Sequence, residues 1–363
     1  MSSVRPNLQA VAFIANAPGD LVCSTGFNVV QPVAHKLLPK FAYYSLLADG
    51  ARQYFEATAK GVGYPAVDDK DFQCFIVSLP PLPEQQRIAA YLDASCAAID
   101  AAVAAKCRQF ETLNALRKSI IQRAVTRGIF EGVGLEPTGN AWMAQVPSGW
   151  KLVCLKRIAA IQGGLTLGKQ YEGPLIERPY LRVGNVQDGY LDLNDVSVIE
   201  LPASVTSGVE LRAGDVLMTE GGDLDKLGRG HVWNGEIPGC LHQNHIFAVR
   251  CFPHKLKPMF LAYLTASGYG RDYFEATGKK TTNLASTNAT KVGEFPIPLP
   301  CLAEQEAICS YLKKNLGEVK RIVTGIETQI ATLTAYRKSL IHECFTGQRR
   351  ITDADLNRVQ AHG

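Results

Sequence analysis

The sequence has 363 residues, of which 46% are hydrophobic and 20% are charged, with a formal net charge of +4 and an isoelectric point near 8.4. Such a chain is long enough for two or three domains with buried cores, and its composition excludes an intrinsically disordered protein. The small positive charge is compatible with a nucleic-acid partner but is equally common among metabolic enzymes, so charge alone identifies no function.

The ten cysteines form no C-x-x-C pair, and Cys96, Cys107 and Cys344 fall on predicted helices. This pattern is typical of reduced, buried thiols and predicts a cytoplasmic protein without a disulfide framework. The first residues have no long apolar core before a cleavage-like site, so we expect no signal peptide. We find no run of about 18 apolar residues and expect no membrane association.

Three segments occur twice, in the same order and about 220 residues apart, with a slip of one residue. They are YFEAT at 54–58 and 273–277, LPPLPEQQRI at 79–88 and LPCLAEQEAI at 299–308, and LRKSII at 116–121 and YRKSLI at 336–341. Three ordered matches at one offset indicate an internal duplication.

Each copy ends in a predicted long helix. In the first, Pro83 and Glu84 suit an opening turn, and no Gly or Pro interrupts the run from Glu84 to Arg127, which predicts a helix about 65 Å long. Apolar residues recur in both helices at alternating spacings of four and three once the polar positions Lys106 and Arg117 are included, which is a heptad pattern. We expect the helices to pair as an antiparallel coiled coil, although packing of each on its own domain alone also fits. The predicted seam consists of Ile99, Val103, Phe110, Leu113, Ile120, Val319, Val323, Ile330, Leu333 and Leu340.

Between the helices, the pattern predicts an α+β domain, with strands at 152–161, 178–186, 215–219 and 245–251 and a helix at 257–267. Residues 13–79 align with about 232–299, so about 80 residues of the first copy of this domain have no counterpart before Met1. The predicted organisation is a partial first domain (1–80), a first helix (81–128), a linker (129–150), a second domain (151–300), a second helix (301–346) and a polar tail (347–363).

These residues resemble the specificity (S) subunits of type I restriction–modification systems. The resemblance covers essentially the whole chain, and its strength lies in the duplicated order of motifs that are weak singly. The motifs are PLPEQQRI at 81–88, PCLAEQEAI at 300–308, RKSI at 117–120, RKSL at 337–340 and VPSGW at 146–150, supported by GDVLMTEGG at 214–222 and the segment from Gly278 to Leu284.

The resemblance implies a duplicated unit, a target-recognition domain followed by a long helix, in which each domain reads one half of a bipartite DNA site and the helices set the spacing. It implies a non-catalytic chain that binds no cofactor itself. Its expected partners are double-stranded DNA, adenine-methylating subunits that use S-adenosylmethionine, and motor–nuclease subunits that use ATP and magnesium. The shortened first domain departs from the pattern and puts reading of the first half-site in doubt. The resemblance leaves three explanations for the shortened first domain: a misassigned start, a broken gene, or a missing part on a separate polypeptide.

Loops rich in basic, amide or aromatic side chains are the candidate DNA contacts, because Lys and Arg bind phosphates whereas Gln, Asn and Arg pair with base edges. Plain turns and solvated loops are the competing interpretations. His242 and His245 lack an evident third ligand, so we expect no metal site. The candidates are Lys169 and Tyr171; Lys226, Arg229, His231, His242, Gln243 and Asn244; Lys279, Lys280, Thr281, Thr282 and Asn283; and, in the first copy, Lys60 and Tyr64.

Three other functions stay open. An enzyme is disfavoured because the chain has no [DN]-P-P-[YF] motif and no P-loop. A coiled-coil adaptor without a DNA role fits the heptads but leaves the basic loops unexplained. A truncated or defective subunit would read one half-site only, and two copies that associate through the helices would then recognise an interrupted palindrome.

Overall fold

The computed structural model describes residues 1–16, 19–33, 35–222, 227–280 and 285–361. The helices of this part of the chain are α1 (Pro39–Leu47), α2 (Asp49–Thr58), α3 (Asp69–Gln73), α4 (Leu82–Arg127), α5 (Ala203–Thr206), α6 (Pro258–Ala266), α7 (Gly268–Thr277), α8 (Ala289–Glu294), α9 (Leu302–Thr346) and α10 (Asp353–Ala361). The strands are β1 (Leu135–Pro137), β2 (Gln145–Pro147), β3 (Lys151–Cys154), β4 (Ala159–Gly163), β5 (Ile176–Leu181), β6 (Ser197–Leu201), β7 (Asp215–Thr219), β8 (Gly221–Gly222), β9 (Gly230–Val232), β10 (Leu241–His242), β11 (Ile246–Cys251), β12 (Lys279–Lys280), β13 (Ala285–Ser286) and β14 (Pro296–Leu299).

The chain divides into two compact units. Unit 1 comprises residues 1–111 and 322–363, and unit 2 comprises residues 112–321. Each unit therefore contains one part of α4 and one part of α9, in addition to its own globular elements.

Unit 2 is built around an antiparallel sheet with strand order β4-β11-β7-β9. Both faces of this sheet are covered, which explains why VLM at 216–218 and IFAV at 246–249 are apolar at every position rather than at alternate ones. Val216, Met218, Phe247 and Val249 face one core, which includes α6 and α7. Leu217, Ile246 and Ala248 face a second core that contains Trp233 and Leu181.

The predicted strands agree with this sheet in part. The strands at 215–219 and 245–251 and the helix at 257–267 are confirmed as β7, β11 and α6. The single strand predicted at 152–161 is wrong, because a 3-10 turn at Leu155–Arg157 divides it into β3 and β4. These two strands belong to different sheets, since β3 pairs with β14 and β4 pairs with β11. The strand predicted at 178–186 ends at Leu181, where the backbone enters a second 3-10 turn.

Unit 1 consists mainly of short helices and irregular chain packed on α4 and α9. Phe55 is fully buried and stacks on Phe72 with ring centroids 5.2 Å apart, which joins α2 to α3. Phe41, on α1, is buried against α4 and against Phe345 near the end of α9. The predicted polar tail contains α10, and Ile351, just before this helix, is buried in the same core.

The two long helices pack side by side and run in opposite directions within each unit. In unit 1, Leu92 and Cys96 of α4 share a core with Leu340 and Cys344 of α9, and Arg337 forms an ion pair with Asp100 at 3.1 Å.

In unit 2, Ile121 and Val125 near the end of α4 share a core with Ile308 and Leu312 near the start of α9. Every residue of the predicted seam is buried or half-buried.

Helix α4 is also long and apolar enough by composition to cross a membrane, with a mean hydropathy of 1.5 over its most apolar 18-residue window. The sequence expectation missed this because Asp93 and Asp100 interrupt the apolar run while the many alanines raise the average. The same test accepts core helices of soluble proteins, and the apolar residues of this stretch, such as Leu92, Cys96 and Ile99, lie in the core shared with α9.

A buried glutamine fastens the first turn of α9 to unit 2. Gln305 is fully buried, and its Oε1 accepts a hydrogen bond from the backbone N–H of Lys257 at 2.8 Å. Its Nε2 donates to the carbonyls of Lys255 and Pro300, both at 3.0 Å. One side chain thus satisfies three backbone groups on two segments that no helix or strand ladder joins.

Gln85 makes the same three bonds at the first turn of α4. It is 1% exposed, accepts from the N–H of Leu38 and donates to the carbonyls of Lys36 and Pro80, each at 2.9 Å. The repeated P-x-x-x-E-Q motif, Pro80 to Gln85 and Pro300 to Gln305, therefore encodes a clamp between a helix start and the loop that precedes α1 or α6. We call Gln85 and Gln305 the clamp glutamines.

Replacing a clamp glutamine should lower the free energy of unfolding substantially. In Gln305→Leu the three backbone groups lose their partner in a buried site, so we expect a loss of about 3 kcal/mol. Urea denaturation followed by tryptophan fluorescence would measure it. Gln329→Leu, at an exposed position on the same helix, is the matched control and should change stability by less than about 0.5 kcal/mol. Equal losses in the two variants would contradict the clamp.

Candidate nucleic-acid interface

Two of the predicted DNA-contact loops of unit 2 are joined by backbone hydrogen bonds. The Leu165 N–H donates to the His242 carbonyl at 2.7 Å, and the Asn244 N–H donates to the Leu165 carbonyl at 2.9 Å. A Cβ at Gly164 would clash with the Gln243 carbonyl oxygen. Glycine is therefore required at this position so that the loop after β4 can approach the turn at 243–245.

The turn at 243–245 is also hydrogen-bonded to Glu220, which directly precedes the strands that lead to Lys279 and Lys280. The Glu220 N–H donates to the His245 carbonyl at 2.9 Å, and the His245 ring Nδ1 lies 3.0 Å from the Glu220 carboxylate. Directly after Glu220, β8 pairs with β13, and β13 pairs with β12, which is Lys279–Lys280. The structure thus brings parts of all three predicted clusters of unit 2 into one connected region, which we call the loop surface.

The loop surface presents both cations and amides to solvent. Lys169, Lys279 and Lys280 are exposed, whereas Gln243 and Asn244 are half-buried on the turn between β10 and β11. Tyr171 is half-buried and packs against the small core around Leu165, Leu201 and Leu241. Lysines of this kind bind phosphates, and amides held by an ordered turn are suited to base edges.

Other predicted contacts are placed differently. His242 is fully buried and its Nδ1 bonds to the Ile246 carbonyl at 2.9 Å, so in this conformation it does not reach a ligand at the surface. His231 is half-buried on β9, opposite Leu217 of β7. Arg229 is half-buried just before that strand and makes polar contacts of its own. The sequence singled out His242 for its polar neighbours, but β10 carries it into the core instead. Lys226, Thr281, Thr282 and Asn283 lie outside the described residues.

Burial also sets the charge of these two histidines. Desolvation lowers the pKa of both His231 and His242 below the ordinary value of 6.5. Neither ring therefore contributes positive charge to the surface near neutral pH. No group of three or more His, Cys, Asp or Glu side chains suited to a metal ion occurs in the described part of the chain.

In unit 1, Lys60 lies in a different electrostatic setting. Its ammonium group is 2.6 Å from the Asp68 carboxylate and 3.1 Å from that of Asp71, and these bonds raise its pKa. Tyr64 is 72% exposed, with the Arg5 guanidinium 4.8 Å from the centre of its ring. Both predicted residues are accessible, but the lysine charge is already balanced by two carboxylates.

The repeat shows how this charge difference arises. Asp68 caps α3 by accepting from the Asp71 N–H at 2.8 Å, and Asn288 caps α8 by accepting from the Lys291 N–H at 3.0 Å. The two helices occupy equivalent positions in the repeat, so an Asp–Asp pair in unit 1 corresponds to an Asn–Lys pair in unit 2. The cap geometry is retained, while two carboxylates are replaced by an amide and by a lysine that forms an ion pair with Glu294. The sequence predictions missed this difference, and the offset between the copies is the signal that finds it.

The family model described as "Type I restriction modification DNA specificity domain" matches residues 8–104 and 147–332. These stretches amount to more than half of the chain, and the chain belongs to this family. The family match therefore supports the resemblance seen in the duplicated motifs, and the class of the protein is that of a non-catalytic specificity subunit.

Relatives and solved structures agree with that class. The chain is 27% identical over 327 residues to the type I restriction enzyme MjaVIII specificity subunit of Methanocaldococcus jannaschii, which covers 87% of this chain and 71% of that protein. It is 23% identical over 302 residues to the EcoKI specificity subunit of Escherichia coli, covering 82% and 62%.

Two solved structures share the fold. A chain from a study of complex assembly and conformational transition of the type I R-M system superposes with a TM-score of 0.69 at 22% identity, over 91% of this chain and 77% of that one. The HsdS subunit from Thermoanaerobacter tengcongensis gives 0.51 at 21% identity, over 96% and 80%.

The buried His242 predicts a pH dependence of stability. Because burial lowers its pKa in the folded protein, the unfolded chain takes up a proton first as the pH falls below about 6.5. The free energy of unfolding contributed by this ring is therefore constant above that pH and falls below it. His242→Asn, whose amide keeps the bond to Ile246, should weaken this decline between pH 7.5 and 5.5. His254→Asn, at an exposed ring, should leave the decline unchanged, and an unchanged decline in His242→Asn would refute the assignment.

Proposed function

We propose that this chain is the subunit that reads DNA sequence in a type I restriction–modification complex and directs adenine methylation and restriction to a bipartite site. The observation that carries the proposal is the loop surface of unit 2, where exposed lysines and a turn bearing Gln243 and Asn244 are hydrogen-bonded into one region. Packing of the core requires none of these side chains. The family description and the names of the relatives support the DNA role.

Each part of the loop surface has a distinct proposed task. Lys169, Lys279 and Lys280 neutralise phosphates and set the position of unit 2 on the duplex. Gln243 and Asn244 lie on the turn between them, and amides of this kind form paired hydrogen bonds with adenine in the major groove. Tyr171 supports the loop after β4 through its contact with the Leu165 core.

The proposed partners follow from the same class. They are double-stranded DNA, methylating subunits that carry S-adenosylmethionine, and motor–nuclease subunits that use ATP and magnesium, all in the cytoplasm. The antiparallel α4 and α9 are the proposed spacer between the two halves of the site. The chain spans 71% and 62% of the two specificity subunits named above, so the complete set of partners belongs to the proposal.

A second candidate is a half-specificity subunit that reads one half-site. The balanced charge of Lys60, between Asp68 and Asp71, favours it because unit 1 then offers phosphates little attraction at the position where unit 2 offers Lys279. Two copies associated through the helices would recognise an interrupted palindrome. A coiled-coil adaptor without a DNA role is the alternative function, and measurements of DNA binding distinguish it from a specificity subunit.

Removing both lysines of β12 should weaken DNA binding. We expect Lys279→Ala with Lys280→Ala to lower affinity about tenfold at moderate salt and to reduce the slope of log affinity against log salt by about 2, because two phosphate contacts are lost. Fluorescence anisotropy on random-sequence duplexes measures both quantities. The matched control is Lys313→Ala with Lys314→Ala, an exposed pair on α9 with the same charge change. Equal effects in the two pairs would show attraction by net charge alone.

Changing the turn should alter the sequence that is recognised. We expect co-expression of the chain with its methylating partner to produce adenine methylation at one motif, mapped by single-molecule sequencing of a random-sequence plasmid. Gln243→Ala or Asn244→Ala should relax or change one base pair of that motif, at about 1–3 kcal/mol per lost base contact.

Gln329→Ala is the control for this experiment and should leave the motif unchanged. A palindromic motif would favour the half-specificity form. A stable complex with no methylation in the unmodified chain would contradict the reading role.

A further inference from the structure

The two copies of the repeat contain the same cluster of three aromatic rings. In unit 2 the ring centroids of Tyr273 and Phe274 are 5.2 Å apart, and Phe295 lies 4.9 Å and 5.1 Å from them. In unit 1 the equivalent Tyr54, Phe55 and Phe75 give 5.3, 5.4 and 5.0 Å. The tyrosines also make the same bond, donating to the carbonyls of Lys291 and Asp71 at 2.8 and 2.7 Å. The clusters are therefore structurally equivalent.

In unit 2 a segment of the chain covers this cluster. Trp142 packs edge-on against Tyr273 at 5.1 Å, and Met143, Val146 and Trp150 are buried in the same core. Strand β3 then pairs with β14, with Val153 opposite Ile297. Residues 142–154 thus form an apolar cover followed by a paired strand.

In unit 1 the equivalent positions are open. Residues 76–79 correspond to β14 but form no strand, and their backbone makes no hydrogen bond within the described residues. Ile76 is 89% exposed and Leu79 is 57% exposed. A groove of about 320 Å³ lies beside them and includes Tyr54, Phe75 and Val77 among its walls. Part of that volume reflects Gly50, which stands where unit 2 has the buried Tyr269. The rest of the volume lies along the edge at 76–79, which no strand covers.

A second segment of unit 1 forms no strand where its counterpart in unit 2 does. Residues 27–32 correspond to β11, which in unit 2 is buried between β4 and β7. In unit 1 they form no strand, and Phe27 and Val29 are 49% and 72% exposed. The described residues of unit 1 provide neither flanking strand. Residues 26–28 bond instead to residues 1–3, through the bridge between Ser2 and Phe27 and the hydrogen bonds of Ser3 to Gly26 and of Asn28 to Met1. Residues 76–79 are therefore the strand sequence that has no partner within the described residues.

We propose that the edge at 76–79 and its groove bind an extended segment that has the chemistry of residues 142–154. The segment supplies an indole to the face of Tyr54 and a strand of apolar residues antiparallel to residues 76–79. The copy already seated in unit 2 is the template for this occupant, as it binds the same aromatic cluster and the same edge. This inference does not depend on DNA reading, so either can fail alone.

The register of unit 2 defines which backbone groups take part. Pro296 and Pro298 have no N–H, so the N–H donors of β14 to β3 come from Ile297 and Leu299. Their counterparts are Val77 and Leu79. Ser78 corresponds to Pro298 and lies at a position where pairing needs no N–H. A proline at 77 therefore blocks strand addition, whereas a proline at 78 does not.

The test uses the full chain and a labelled peptide of residues 141–156, AWMAQVPSGWKLVCLK, under reducing conditions. We expect saturable binding in fluorescence anisotropy, and slower hydrogen–deuterium exchange in residues 75–80 when the peptide is bound. Val77→Pro should weaken binding at least about tenfold, since one or more backbone hydrogen bonds are lost. Ser78→Pro should bind like the unmodified chain, and circular dichroism shows whether both variants fold.

A scrambled peptide and a peptide with Val153→Pro should not bind. Absence of binding by the unmodified peptide overturns the proposal, as does equal binding by the Val77→Pro chain. If the peptide fails and the chain has twice its monomer mass in light scattering, the edge is instead covered by a second copy, and the proposal is also wrong.

Discussion

The fold depends on the clamp glutamines, because each one fixes where a long helix starts relative to the domain that precedes it. Gln305 and Gln85 each satisfy three backbone groups that no helix or strand ladder can reach. An unbonded backbone group in such a site costs free energy comparable to a lost hydrogen bond. The position of each helix start is therefore fixed, and α4 and α9 begin at equivalent positions of the repeat.

In unit 2 this constraint reaches the loop surface through β14. Helix α9 begins three residues after β14, which pairs with β3, and β3 leads through a short turn into β4. The loop that follows β4 carries Gly164, whose close approach to the Gln243 carbonyl brings the proposed phosphate contacts beside the proposed base contacts. A continuous path of paired and bonded backbone thus connects the start of α9 to the side chains of the loop surface.

The sequence predicted the elements whose signal is periodic or repeated. The heptad seam, the duplication, β7, β11 and α6 all follow from spacing that one chain displays by itself. It did not predict that Leu155–Arg157 divides a continuous apolar run between two sheets, because such runs carry no information about which partner each half meets. His242 was misplaced for a related reason: a polar residue beside Gln243 and Asn244 resembles a loop residue, yet its own ring bonds inward to Ile246. The unequal charge of the two copies was also missed, although the offset between the copies already aligns Asp68 and Asp71 with Asn288 and Lys291. The contacts add that both carboxylates lie beside Lys60.

The equivalent caps at Asp68 and Asn288 have an evolutionary consequence. The cap requires only a side-chain oxygen that accepts one N–H, and aspartate and asparagine supply it almost equally well. Selection for stability therefore acts only weakly on the charge of this residue, and the charge of the neighbouring surface can change during evolution. After a duplication, one copy can gain or lose attraction for a polyanion by single substitutions of this kind, without passing through an unstable intermediate.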